Sequence, residues 1–110
     1  MTELELTPQQ VVAKREAGEK MCLIDCREQG EWDLCRIEGA NLVPMNSVPG
    51  RLQELDGKAD DELLVVYCHH GVRSLNVVNW LRAQGVSNCV SMDGGIDRWS
   101  LQIDPMVGRY

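Results

Sequence analysis

Apolar positions along the chain fall into short blocks with two kinds of spacing. Leu63-Leu64-Val65-Val66-Tyr67 is a continuous apolar, β-branched run with no polar alternation, the pattern of a central strand covered on both faces. Met21 to Asp25 is a similar, shorter run, and Ala40 to Val43 (stopped by Pro44) and Val90 to Met92 add two more candidate strands. Helical spacing lies between them. Thr7 is a good N-cap and Pro8 suits a first helical position, so Pro8 to Ala17 reads as a helix ended by Gly18. Glu28 to Cys35 reads as a short helix with Trp32 and Cys35 turned inward. Val48, Leu52 and Leu55 share a face in a helix over Ser47 to Leu55, weakened at its start by Pro49-Gly50. Ser74 to Gln84 places Leu75, Val78 and Leu81 on one face and Val77 beside them, with Gly85 at C′. A last short helix runs from Gly94-Gly95 through Trp99, followed by an irregular tail. Strands alternating with helices predict an α/β fold, a parallel sheet with helices on both faces.

Composition changes this picture little. At 110 residues, 44% hydrophobic and 25% charged, the chain reads as one domain over 1–110 with a single core. Charge says more: eleven Lys and Arg against seventeen Asp and Glu leave −6, a surface that repels phosphate backbones and excludes nucleic-acid binding. The opening Met1-Thr-Glu-Leu-Glu-Leu is acidic, unlike an export signal, and the run Leu63 to Cys68 is too short to span a bilayer. A cytoplasmic protein is expected, without membrane attachment. Five cysteines without zinc-knuckle spacing then read as thiols, and one with chemistry would be a nucleophile or redox group.

The chemistry concentrates after the most regular strand. In open parallel sheets, ligands bind beyond the carboxyl ends of the strands. There the chain reads Cys68-His69-His70-Gly71-Val72-Arg73, holding both histidines of the sequence, and enters a helix at Ser74. A helix N-terminus offers partial positive charge and free N–H groups to a thiolate, Arg73 adds a full charge, and Gly71 permits the positive φ of an anion nest. Cys68 is therefore the candidate nucleophile, and Cys22, Cys26, Cys35 and Cys89 read as packing. A metal held by Cys68, His69 and His70 is disfavoured, since adjacent ligands lack a second cluster.

Four segments in order resemble the rhodanese homology domain. Leu23-Ile24-Asp25-Cys26-Arg27-Glu28, followed by Glu31-Trp32, resembles the family's Asp-x-Arg-Glu stretch, and Arg36-Ile37-Glu38-Gly39-Ala40-Asn41 its His-Ile-x-Gly-Ala-x stretch. Val66-Tyr67-Cys68 to Arg73-Ser74 matches its active-site loop and Asp93-Gly94-Gly95-Ile96-Asp97-Arg98-Trp99 its Gly-Gly close. The sequence departs at Arg36, where histidine is usual, and at Cys35, where glycine is common. The resemblance implies a single rhodanese-like domain with a central parallel sheet of about five strands, and a sulfurtransferase alternating between a Cys68 thiolate and persulfide. It implies a small anionic donor such as thiosulfate, or a protein persulfide, and as acceptor cyanide, a thiol or a sulfur-carrier protein, with no metal or organic cofactor. His69, His70, Gly71, Val72 and Arg73 would form the anion-binding loop, with Asp25, Arg27 and Ser74 supporting it. Trp32 and Trp99 read as core residues rather than substrate platforms. The tail, with Ile103-Asp104-Pro105 and Arg109-Tyr110, resembles that of rhodanese domains attached to ubiquitin-activating-like enzymes, which load carrier proteins. A monomer or weak dimer is expected.

Two other readings stand beside this one. Phosphatases and arsenate reductases place a catalytic cysteine before a helix in the same way, but with five residues between cysteine and arginine; here four separate Cys68 from Arg73. The smaller ring favours sulfur over a tetrahedral phosphate. A non-catalytic docking module is the third reading, and such domains commonly lack the loop cysteine.

Overall fold

Five strands form one parallel sheet in the computed structural model, which describes residues 3–110; Met1 and Thr2 of the acidic start lie outside them. The strands are β1 (Glu5–Leu6), β2 (Met21–Asp25), β3 (Asn41–Leu42), β4 (Leu63–Tyr67) and β5 (Cys89–Met92), in spatial order β1-β5-β4-β2-β3. The helices are α1 (Pro8–Glu16), α2 (Gln29–Leu34), α3 (Leu52–Ala59), α4 (Val72–Ala83) and α5 (Gly95–Gln102). The α/β class and the helices on both faces follow the expectation.

The continuous apolar run of β4 has its physical reason in this order. β4 lies at the centre, paired with β2 over its whole length and with β5 on its other side. Successive side chains point to opposite faces, and both faces are covered. Leu64, Val66 and Cys68 join Cys22, Ile24 and Cys26 in one core, closed by Leu55 of α3 and Val78 and Leu81 of α4. Val65 and Tyr67 join Leu23 and Val90 in the other, closed by Val11 of α1 and Ile96 and Trp99 of α5. α1 starts as expected: the Thr7 hydroxyl accepts from Gln10 N–H at 3.1 Å, and the Gln10 side chain accepts from Thr7 N–H at 2.8 Å.

Several expectations need correcting. β1 went unseen because a two-residue strand carries no periodicity; it pairs in parallel with β5 at the sheet edge. The helix expected over Ser47 to Leu55 is two 3₁₀ turns, 45–47 and 49–51, followed by α3 from Leu52. Pro49 lacks the N–H that a continuous helix needs. α4 begins at Val72, two residues earlier than expected, so Arg73 belongs to its first turn. Trp32 is not a core residue, while Cys35 is half-buried and packs against the core around Val65 and Tyr67. α2 has no buried residue, and Trp32 is half-buried with the exposed Arg36 guanidinium 5.0 Å above its ring. Trp99, by contrast, is buried. Among the described residues no helix is long and apolar enough to cross a membrane.

Candidate active site

The register of β4 decides where Cys68 points. One residue past the strand, it lies on the same face as Leu64 and Val66, against α4, and is 1% exposed. The chain then turns back through Gly71, whose φ of +100° is open to glycine at little cost, and enters α4. This turn aims two backbone donors at the sulfur: Gly71 N–H at 3.1 Å and Ser74 N–H at 3.4 Å. Cys68 Sγ thus occupies the position of a helix cap.

Side chains complete the cradle. The Ser74 hydroxyl lies 3.5 Å from Cys68 Sγ and 2.7 Å from the Ser91 hydroxyl of β5, all three groups being buried. With Cys68 as thiolate, Ser74 donates to sulfur and accepts from Ser91. The Cys26 thiol, one residue past β2, lies in the same buried cluster as Cys68. The neighbouring Cys26 thiol, then the Ser74 hydroxyl and the Ser74 and Gly71 N–H groups, outweigh burial and hold the Cys68 thiol down at about 4. The same contact, together with burial, pushes the Cys26 thiol far up. Cys26, expected as packing, is therefore part of the site. Cys22 and Cys89 are buried toward the amino ends of their strands, and burial raises both.

The loop keeps its shape because its carbonyls are held from behind. Cys68 and His69 carbonyls accept from Ile96 and Asp97 N–H in the first turn of α5, at 2.9 and 3.2 Å. A Cβ at Gly95 would come within 2.4 Å of both carbonyl oxygens, so only glycine lets α5 approach this closely. With the Cys68 and His69 carbonyls turned toward α5, the Gly71 and Ser74 N–H groups are left to the sulfur.

Arg73 does not face the sulfur as a free charge. Its guanidinium grips Glu31 of α2 in a two-pronged pair at 2.7 and 2.9 Å. That pairing is the main cause holding the Glu31 carboxyl down at about 2. Of the helix N-terminus and the Arg73 charge expected to act together on Cys68, the N–H groups are among the leading causes of its acidity and Arg73 is not. Asp25 and Arg27 form a fully buried ion pair at 2.6 Å. Arg27 also donates to the Cys35 carbonyl at 2.6 Å and to the Tyr110 hydroxyl at 2.9 Å. Tyr110 in turn donates to Glu31, and its ring stacks on His69 at 4.0 Å between centroids. His69 stacks on its other side against His70, also at 4.0 Å. His70 and Val72 are exposed, and the His70 imidazole lies 3.9 Å from the Asp97 carboxylate. Cys26, Ser91, Glu31 and Tyr110 were missed in the sequence as site residues. Only the pairing of strands, and the return of the tail across α2, bring them to Cys68 or its supports. Among the described residues no three His, Cys, Asp or Glu side chains form a group suited to a metal ion.

A family model described as "Rhodanese-like domain" matches residues 7–102. Thiosulfate sulfurtransferase GlpE of Glaesserella parasuis is 34% identical over 95 residues, 86% of this chain and 84% of that protein. Probable adenylyltransferase/sulfurtransferase MoeZ of Mycobacterium tuberculosis is 33% identical over 105 residues, 96% of this chain; the chain spans only 26% of that protein's length. Among solved structures, a rhodanese-like domain protein of Staphylococcus aureus superposes with a TM-score of 0.80 at 26% identity, over 98% of this chain and 99% of that one.

Proposed function

This chain belongs to the rhodanese-like domain family, and from that premise we propose that it is a sulfurtransferase that carries sulfane sulfur as a persulfide on Cys68. The observation that supports it is the Cys68 sulfur, held as a thiolate at neutral pH inside a ring of hydrogen-bond donors. In the first half-reaction the thiolate attacks the outer sulfur of thiosulfate. The donor S–S bond breaks, sulfite leaves with the electron pair, and Cys68 becomes a persulfide. The Gly71 and Ser74 N–H groups and the Ser74 hydroxyl are placed to stabilise the terminal anion. In the second half-reaction an acceptor nucleophile takes that sulfur, and the Cys68 thiolate is the leaving group. This is ping-pong covalent catalysis by side chains of this chain alone.

A protein persulfide is the alternative donor, and cyanide, a thiol or a sulfur-carrier protein the acceptors. The likeness to MoeZ, whose name joins adenylyltransferase to sulfurtransferase, favours a protein acceptor. The test is a donor panel read by intact mass. Thiosulfate is expected to add about 32 Da, one sulfur atom, to Cys68, and cyanide to remove it with formation of thiocyanate. Cys68→Ser is expected to abolish both while unfolding near the wild-type temperature, since the swap barely changes volume but a hydroxyl cannot carry the persulfide. An inert Cys68 with every donor would leave a docking module as the reading.

A further inference from the structure

A second thiol sits against the nucleophile. Cys26 N–H donates to the Tyr67 carbonyl at 3.0 Å, extending the β2–β4 ladder beyond the Asp25–Tyr67 pair. The next step sets Cys26 beside Cys68. Their side chains share one face of the sheet and one apolar cluster, and both are closed to solvent. Adjacent strands lie about 4.8 Å apart, inside the spacing of roughly 4.4–6.8 Å between Cα atoms that a disulfide spans.

We propose that Cys26 is a resolving thiol, which discharges the Cys68 persulfide as sulfide when no acceptor arrives. The proposal rests on the reading of Cys68 as a persulfide carrier. Cys26 Sγ attacks the inner sulfur, that of Cys68, against which it lies. A Cys26–Cys68 S–S bond forms and the bond from Cys68 Sγ to the outer sulfur breaks. The outer sulfur leaves as hydrosulfide, keeping the electron pair of the broken bond and taking the Cys26 proton. The persulfide itself supplies the oxidising equivalent, so no external oxidant enters, and a dithiol reductant returns both thiols.

The surroundings time this step. In the unloaded site the neighbouring Cys68 sulfur, first, and burial, second, keep Cys26 protonated and a poor nucleophile. Loading moves the negative charge outward by one sulfur atom and removes the first of these causes. Cys26 is held back until Cys68 carries sulfur.

The experiment is a single loading with thiosulfate, removal of excess donor, and timed readout by intact mass, peptide mapping and sulfide assay. In the wild-type protein the gain of about 32 Da is expected to decay into a species two hydrogens lighter than the reduced chain. The Cys26 and Cys68 peptides should then be linked, with about one equivalent of sulfide released. Cys26→Ser and Cys26→Ala are expected to keep the persulfide roughly tenfold longer and to release no sulfide. A Cys68 persulfide equally long-lived in all three proteins, with no linked peptide, would overturn the resolving role and leave the carrier reading standing. No added sulfur on Cys68 in any of them would overturn both. The linked peptide is read in the wild-type chain, so the outcome does not depend on how well either variant folds.

Discussion

At the scale of single residues, the chemistry of Cys68 is set by hydrogen bonds to its sulfur more than by a nearby full charge. Arg73 is engaged by Glu31, whereas Ser74 and Gly71 donate to Cys68 directly. Alkylation by a neutral reagent measures the thiolate fraction, and its midpoint in the wild type is expected near 4, with reactivity lost below it. Ser74→Ala removes a donor to the anion, so the midpoint must rise; one hydrogen bond of about 1–1.5 kcal/mol corresponds to roughly one pH unit. Ser91→Ala acts through Ser74 and should move it in the same direction by less. Arg73→Ala is expected to move it less than Ser74→Ala. A larger shift in the Arg73 variant would restore the charge-based account.

At the scale of elements, the loop between β4 and α4 is a ring whose diameter follows its residue count. Four residues separate Cys68 from Arg73, and the ring closes on one sulfur atom with N–H distances of 3.1 and 3.4 Å. Inserting a glycine after Gly71 widens it. That variant is expected to lose sulfur transfer and to gain measurable binding of phosphate, arsenate or vanadate by calorimetry. Aryl-phosphate turnover by the native chain comparable to its thiosulfate turnover would defeat the ring-size explanation. Behind the ring stands the Asp25–Arg27 pair, sealed from water. Asp25→Ala leaves an uncompensated buried guanidinium, so a loss of about 3–5 kcal/mol is expected in denaturant unfolding.

At the scale of the whole molecule, Tyr110 joins parts of the chain that local structure keeps apart. Its hydroxyl links Arg27, just past β2, to Glu31 in α2, and its ring covers His69 after β4. The tail thereby ties the stretch after β2 and the loop after β4, two segments far apart in sequence, around the site. Tyr110→Phe keeps the stack and loses both hydrogen bonds, an expected cost of about 1.5–3 kcal/mol in thermal unfolding because the partners are charged. The Glu31 carboxyl adds a pH signature. Its folded value of about 2 lies below the ordinary 4.5, so its stabilisation is complete above pH 4.5 and disappears as pH falls toward 2. The stability difference between wild type and Glu31→Gln should therefore vanish across that window.

Local signals in the sequence determined the central features. The unbroken run of β4, the glycine and helix entry that follow it, and the Thr7-Pro8 start of α1 are short-range patterns, and short-range physics is what a sequence displays. The position of Cys68 at the end of a central parallel strand followed from them. Tertiary structure alone decided which groups join Gly71 and Ser74 around that sulfur. Cys26 reads as one more buried cysteine until strand register sets it beside Cys68. Ser91 has no motif, and reaches Ser74 only because β5 lies next to β4. β1 is too short for a period, Trp32 leaves the core because α2 lies at the periphery, and Tyr110 acts 79 residues away from Glu31. Strand order and chain return bring distant residues into contact, and neither leaves a periodic trace in the sequence.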